Sequence, residues 1–371
     1  MNDKRLLILN MLDEGKISSQ EALELLEAIK DDKDNKDLNN ETKQDSYQED
    51  TTEKNTEERE DTSNSFVKKS AQAVGNILGK LNVFMDNFQD KLAEEFENVE
   101  ENFIEESDDE SPILNESYTI DEIIDNKKDF VINNPYGPIN LYGHDEDNIL
   151  INIDLAYKKS YENKVKDFYS YKNTNNSFDL SFKNNISSNH KNFKINLDIR
   201  IPKNLINSLF VKSLNDDIKI HNINSNELEV ENINALIDIS NISSHKIDIK
   251  LLNSSYKQSK TATNDLAIKA LNTNLELDEL KSVNTKITNP NGSVDISSIN
   301  SMTKTLSISG FNSMVKISNM DQSRPIIFEN KSINSHSKIG PNLNIIKNFD
   351  RDNSDILILN IKANNGKIVI C

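Results

Sequence analysis

At 371 residues the chain is too long for one ordinary compact domain, and its charge is uneven: residues 1–116 carry 13 basic and 32 acidic side chains, residues 117–371 carry 30 and 29. The net charge of −18 therefore belongs to the front of the chain, a polyanion that excludes nucleic acid as a partner because phosphate binding needs clustered Lys and Arg. The single cysteine, Cys371, excludes an internal disulfide. No run approaches the ~18 apolar residues of a membrane span or forms the apolar core of an export signal.

The expected location is therefore cytoplasmic, with peripheral membrane association or surface display without a signal peptide as the alternatives. In chain order, residues 1–29 read as an αα-hairpin. Leu6, Leu7, Leu9, Met11 and Leu12 give the first helix an apolar face, and Gly15 sits where a helix C-cap takes a left-handed residue. Ser18 with Glu21 forms a capping box for the second helix, whose stripe is Ala22, Leu25, Leu26 and Ile29. So short a hairpin cannot bury enough surface alone, and self-association or docking on a protein partner is expected.

Residues 30–63 are highly charged and nearly free of apolar side chains, which reads as a disordered acidic linker. Residues 64–107 return to helical periodicity. Val74, Leu78, Leu81, Met85, Phe88, Leu92 and Phe96 form an apolar interaction face at steps of three or four. Such a helix spans about 60 Å. Three readings stay open for it: association with a partner or a second copy, packing on this chain's own β-domain, or lying on a membrane. The acidic residues from Asp86 onward disfavour an anionic leaflet.

Residues 117–371 contain a 19-residue repeat. Asn215, Asn234, Asn253, Asn272 and Asn291 recur at that spacing, and Asn312 follows a two-residue insertion. Six and four residues before each Asn lie pairs such as Leu209/Val211 and Ile247/Ile249. Three, five and eight after come residues such as Ile218, Ile220 and Ile223. Each unit is a strand alternating with period two, a turn at the Asn, and a second alternating strand. One such unit cannot bury its apolar side chains, whereas a stack can, so the fold expected is mainly β, a single-chain β-solenoid. The template also fits 130–141, with Tyr136 in place of the Asn, and 359–370. Tyr256 and the stretch 326–339 depart from it.

The Asn residues are read as a structural turn ladder: Asn tolerates the left-handed conformation, Gly at the next position suits the same bend, and stacked amides can bond to one another. Lys219, Asp238, Lys257, Glu276, Asp295 and Lys316 all fall four residues after a ladder Asn. They read as an outward ion-pair ladder, with Lys212, Glu231 and Lys250 repeating the pattern at another outward position. Interleaved lysines deny Asp238 and Glu276 the isolation a catalytic pair needs. The five histidines show no metal-ligand spacing, and neither a phosphate-binding Gly-rich loop nor a nucleophile elbow is present. No catalytic residue, cofactor or metal is expected.

Asp13-Glu14-Gly15-Lys16-Ile17-Ser18, with Glu21-Ala22 and Leu25-Leu26, resembles the SHOCT-like hairpin that opens proteins of the YvlB/LiaX type in Gram-positive bacteria. Asn134-Pro135-Tyr136-Gly137-Pro138-Ile139, the run Asp198–Asn204 and the later repeats resemble the β-strand-repeat domain labelled "putative adhesin". The resemblance implies a non-enzymatic binding or regulatory protein of the cell-envelope stress response, acting through protein contacts; a structural or adhesive surface protein is the competing class.

Overall fold

A computed structural model describes residues 110–165, 168–183, 191–347 and 355–371. The hairpin 1–29, the linker 30–63 and the helix face from Val74 to Phe96 lie outside the described residues. Twenty-one strands make up the rest. They are β1 (Ile113–Ile123), β2 (Lys128–Asn134), β3 (Ile139–His144), β4 (Asn148–Lys158), β5 (Tyr169–Asn173), β6 (Ser177–Phe182) and β7 (Phe193–Pro202). The repeat proper supplies β8 (Ile206–Leu214), β9 (Ile218–Ile233), β10 (Leu236–Leu252), β11 (Ser255–Ser259), β12 (Ala262–Leu271), β13 (Asn274–Leu277), β14 (Lys281–Thr288) and β15 (Ser293–Ile296). The chain ends with β16 (Thr305–Phe311), β17 (Met314–Ile317), β18 (Ile326–Asn330), β19 (His336–Ile339), β20 (Leu357–Asn364) and β21 (Lys367–Ile370).

The 19-residue spacing becomes a pairing register. Leu209, Leu228, Ile247, Leu266, Thr285 and Leu306 stand beside one another on one side of the solenoid. Ile218, Ile237, Tyr256, Leu275, Val294 and Val315 do so on another. Both columns point inward and are buried, and Ile223, Ile242 and Leu280 add inward groups from a short third side. All pairings within this stack are parallel, and each rung supplies its neighbour with backbone partners that one rung lacks alone.

Tyr256 does not disturb the stack. β11 pairs in register with β10 and β13, and the fully buried phenol donates 2.8 Å to Gln258 Oε1, two residues along the same strand. The two polar side chains at inward positions satisfy each other, which is why an irregular sequence gives a regular rung.

The levels do not follow chain order at either end. β20 lies between β16 and β18, and β21 between β17 and β19, so the last rung in sequence is last but one in space. Likewise β2 lies between β6 and β8, and β3 between β7 and β9. Apolar content explains the order. Leu357, Leu359, Ile361, Ile368 and Ile370 are all buried, whereas β18 and β19 carry Glu329, Lys338 and other exposed residues. Putting the apolar rung inside and the polar one outermost buries more hydrocarbon and leaves a polar terminal rung. Arg324 ties this end together: its buried guanidinium donates to the carbonyls of Asn300 (3.2 Å), Ser301 (3.1 Å), Thr303 and Asp355 (3.0 Å).

At the other end the side of the solenoid that carries β3 and β9 continues as β3–β7–β4–β1, with β4 antiparallel to both of its neighbours. Here Tyr118, Phe168, Tyr169 and Phe182 form an aromatic cluster with centroid separations of 4.7–6.4 Å.

Candidate functional site

The outer surface is organised in columns about 4.8 Å apart from rung to rung. At the first corner Asn215, Asn234, Asn253, Asn272, Asn291 and Asn312 all take positive φ, between 49° and 60°. Their amides join neighbouring rungs: Asn234 Nδ2 donates to Asn215 Oδ1 at 2.8 Å, Asn253 to Asn234 at 3.2 Å, Asn272 to Asn253 at 3.0 Å and Asn312 to Asn291 at 3.3 Å. Each donor serves the rung before it, so the corner is held by side chains as well as by the strands. Asn365 adopts the same φ on the inserted rung. The following glycines have another cause than the bend. A Cβ on Gly292 or Gly366 would lie 2.1 or 2.2 Å from the carbonyl oxygen of Thr273 or Ser313, so close approach of neighbouring rungs, not positive φ, requires glycine there.

A second corner ladder lies seven residues further on. Asn222, Asn241 and Asn319 also have positive φ, with Lys260 in the same column. Asn241 Nδ2 donates to Asn222 Oδ1 at 2.9 Å, and nearby Asn226 Nδ2 donates to Asn207 Oδ1 at 2.7 Å. These residues were not singled out in the sequence, although the same 19-residue alignment contains them.

The charged columns differ in depth. Lys257 Nζ lies 3.2 Å from Glu276, and Lys316 Nζ 2.9 Å from Asp295, all with well exposed side chains. Each such pair is worth ~0.2–1 kcal/mol. Asp238 stands in register between Lys219 and Lys257, and Glu276 beside Asp295. The column at Lys212, Glu231 and Lys250 is not a solvated ladder of this kind. The Glu231 side chain is 3% exposed, lies 3.5 Å from Lys212 Nζ and accepts from Lys250 Nζ at 2.7 Å, and Lys250 also bonds Glu229 at 2.6 Å. Burial alone would lower the Lys250 ammonium; hydrogen bonds from it to Glu229 and Glu231, with their charges, more than offset this and hold it above its ordinary pKa. Lysines bracket this buried carboxylate, a structural arrangement rather than a reactive one.

Further along the same sheet Lys286, Lys331 and Lys362, with Ser307 and Ser309, line a groove of about 180 Å³. Among the described residues no group of three or more His, Cys, Asp or Glu side chains is placed to hold a metal ion, and no helix is long and apolar enough to cross a membrane.

With the rungs, corners and columns in place, the chain can be compared with known proteins. A family model described as Toastrack DUF4097 matches residues 128–370, more than half of the sequence. The chain belongs to the Toastrack DUF4097 family. A SHOCT-like domain model matches residues 3–34, which covers most of the stretch 1–29 read as a helical hairpin and the first residues of the linker. Curated proteins gave no match. Among solved structures, a "putative adhesin" from Bacteroides fragilis is 13% identical, with 69% of this chain and 97% of that one covered at a TM-score of 0.38. A "putative lipid binding protein" from Parabacteroides distasonis is 9% identical, with 69% and 96% covered and a TM-score of 0.43. A "putative adhesin" from Parabacteroides merdae is 10% identical, with 69% and 96% covered and a TM-score of 0.36. These scores lie below 0.5, so nothing about ligand or role passes from those proteins to this chain.

Ahead of the matched Toastrack span, β1 brings Glu116 to the phenols of Tyr118 and Tyr157, both of which donate to its carboxylate. The Tyr118 bond first, then that of Tyr157, lowers the Glu116 pKa, and the same bonds push each phenol up to about 12 from 10.0. A phenol whose folded pKa is raised contributes stability that is complete below pH 10 and lost as pH rises towards 12. A lowered carboxylate contributes above pH 4.5 and is lost as pH falls through its folded value. The contribution of this cluster to thermal stability is therefore expected to be flat between about pH 5 and 10 and to fall from 10 to 12. Tyr256, whose phenol is raised by burial, shares in that fall. The test is thus the difference from a Tyr118→Phe/Tyr157→Phe chain, which loses less over the same interval; parallel curves would show that the Glu116 contact is not responsible.

Proposed function

We propose that this chain is a non-enzymatic structural or adhesive scaffold that displays a β-solenoid, with the outer columns of successive rungs as its contact surface. One observation carries the reading. The outward polar groups are engaged rung to rung, amide to amide at the corners and lysine to carboxylate on the faces, which builds a long regular surface rather than a reactive cleft. Of the carboxylates weighed for catalysis, Glu276 is paired with Lys257 in that pattern, and Asp238 stands in register between Lys219 and Lys257.

The finer reading is a regulator in the cell-envelope stress response. Its support is the combination of a SHOCT-like stretch at 3–34 with a Toastrack domain at 128–370, the arrangement on which the sequence resemblance rests. Protease shaving of intact cells that express the chain separates the two. A displayed scaffold releases solenoid peptides while a cytosolic marker stays inside. Peptides recovered only after lysis would overturn the surface reading and favour the internal regulator.

A further inference from the structure

Among the described residues the solenoid ends in four edge strands, and three of them are blunted. β5 is five residues long and carries Lys172. β18 is five residues long, follows Pro325, and has its outer side partly covered where Ile326 N and O bond Asn344 O and Ile346 N at 2.9 Å. β19 has four residues, Lys338 among them. Short length, lysine, proline and a covering segment are the usual protections of a sheet edge.

β1 follows Pro112 as β18 follows Pro325, and its charged residues are the acidic Glu116, Asp121 and Glu122, but it is neither short nor covered by another described strand. It is eleven residues long, pairs without a register break with β4 alone among the described residues, and contains neither Lys nor Pro. Ile124 N donates to Asp147 O and Lys159 N to Pro112 O, so even-numbered residues on this strand turn their backbone groups towards β4. The odd-numbered residues from Ile113 to Ile123 therefore direct N–H and C=O outward along the open edge.

We propose that β1 is a self-association edge, at which two copies of this chain pair antiparallel about a two-fold axis through Tyr118. Centred there, the full strand is used. Ile113 stands opposite Ile123 of the second copy, Asn115 opposite Asp121, and Ser117 opposite Thr119. These are the outward-directed residues, so each exchanges both backbone bonds with its opposite. Ile113 and Ile123 are 55% and 81% exposed in one copy, and this register places each against the other. On the inner side Leu114 faces Glu122 and Glu116 faces Ile120, so no like charges are directly opposed. A two-fold contact uses the same strand twice and closes, so the sheet continues across the dimer without leaving a new long edge.

The test is the mass of the full chain by size-exclusion chromatography with light scattering. Ser117→Pro removes an N–H that points away from β4, so the β1–β4 ladder keeps its bonds and only the open edge is damaged. The expected result is a dimer for the natural chain and a monomer with unchanged circular dichroism for Ser117→Pro. Ile123→Lys, at an exposed position that a folded monomer tolerates, is expected to weaken the dimer at least tenfold. Ser117→Cys/Thr119→Cys, in a Cys371→Ser background, is expected to cross-link the two copies. A monomeric natural chain overturns the proposal; so does a dimer that survives Ser117→Pro with no cross-link between 117 and 119, which assigns association to another part of the chain.

Discussion

Replacing Tyr256 by Ala should cost about 3–5 kcal/mol, the range for deleting a large buried aromatic, and should loosen neighbouring rungs rather than only its own. The phenol is fully buried at an inward position, with Ile237 and Leu275 as its register partners on either side. Truncation leaves a cavity that those partners fill only in part. It also strands Gln258, whose Oε1 accepts the phenolic hydrogen at 2.8 Å; an unsatisfied buried acceptor costs a further ~1–3 kcal/mol. The polar component can be separated from the volume component. Tyr256→Leu restores the aliphatic character of the column but orphans Gln258, whereas Tyr256→Leu/Gln258→Leu removes both polar partners and is expected to recover most of the loss. Because rungs unfold semi-independently, the measurement is amide hydrogen exchange across 236–277 in the full chain. Equal protection in the single and double leucine variants would mean that the Tyr256–Gln258 bond contributes nothing.

The inward columns were legible in the sequence because burial imposes a period of two along each strand and the stack imposes a period of 19. Leu209, Leu228 and Ile247 must face the interior together or not at all. The corner at Asn215 was legible because positive φ restricts the residue choice. The second corner obeys the same rule at Asn222, Asn241 and Asn319, yet Lys260 interrupts its column and Asn is common elsewhere in the chain, so the signal is weaker. The antiparallel cap had period-two alternation at Ile149, Ile151, Ile153 and Leu155 but no 19-residue match, so nothing tied it to the stack. The depth of Glu231 was not legible either. Outward charges read alike whether they stand in water, as Lys257 and Glu276 do, or are enclosed by neighbours, and only packing separates the cases. The order of levels was hidden for a deeper reason. A repeat defines which residues form a rung, but any two rungs with the same inward pattern can be neighbours.

That hidden order has a consequence for truncation. Were the rungs stacked in chain order, removing residues 356–371 would trim the final rung and leave the stack beneath it intact. Because β20 and β21 lie between β16–β17 and β18–β19, their removal takes out an interior level. Leu357, Leu359, Ile361, Ile368 and Ile370 are buried, and at ~1.5–3 kcal/mol each their loss is comparable with the ~5–15 kcal/mol that stabilises a typical domain. The 326–339 rung loses its strand partners at once. The expected result is that hydrogen-exchange protection of 326–330 disappears together with the deleted rung, while 206–277 stays protected, since contacts in a solenoid reach only adjacent levels. Exposed edges at β16 and β17 should also make the shortened chain aggregate. The contrary outcome is specific: if 326–330 keeps its protection, this rung has moved down to pair with β16 in chain order. The polar rung would then be a competent neighbour for the stack, and the apolar content of β20 and β21 would not be what sets the order.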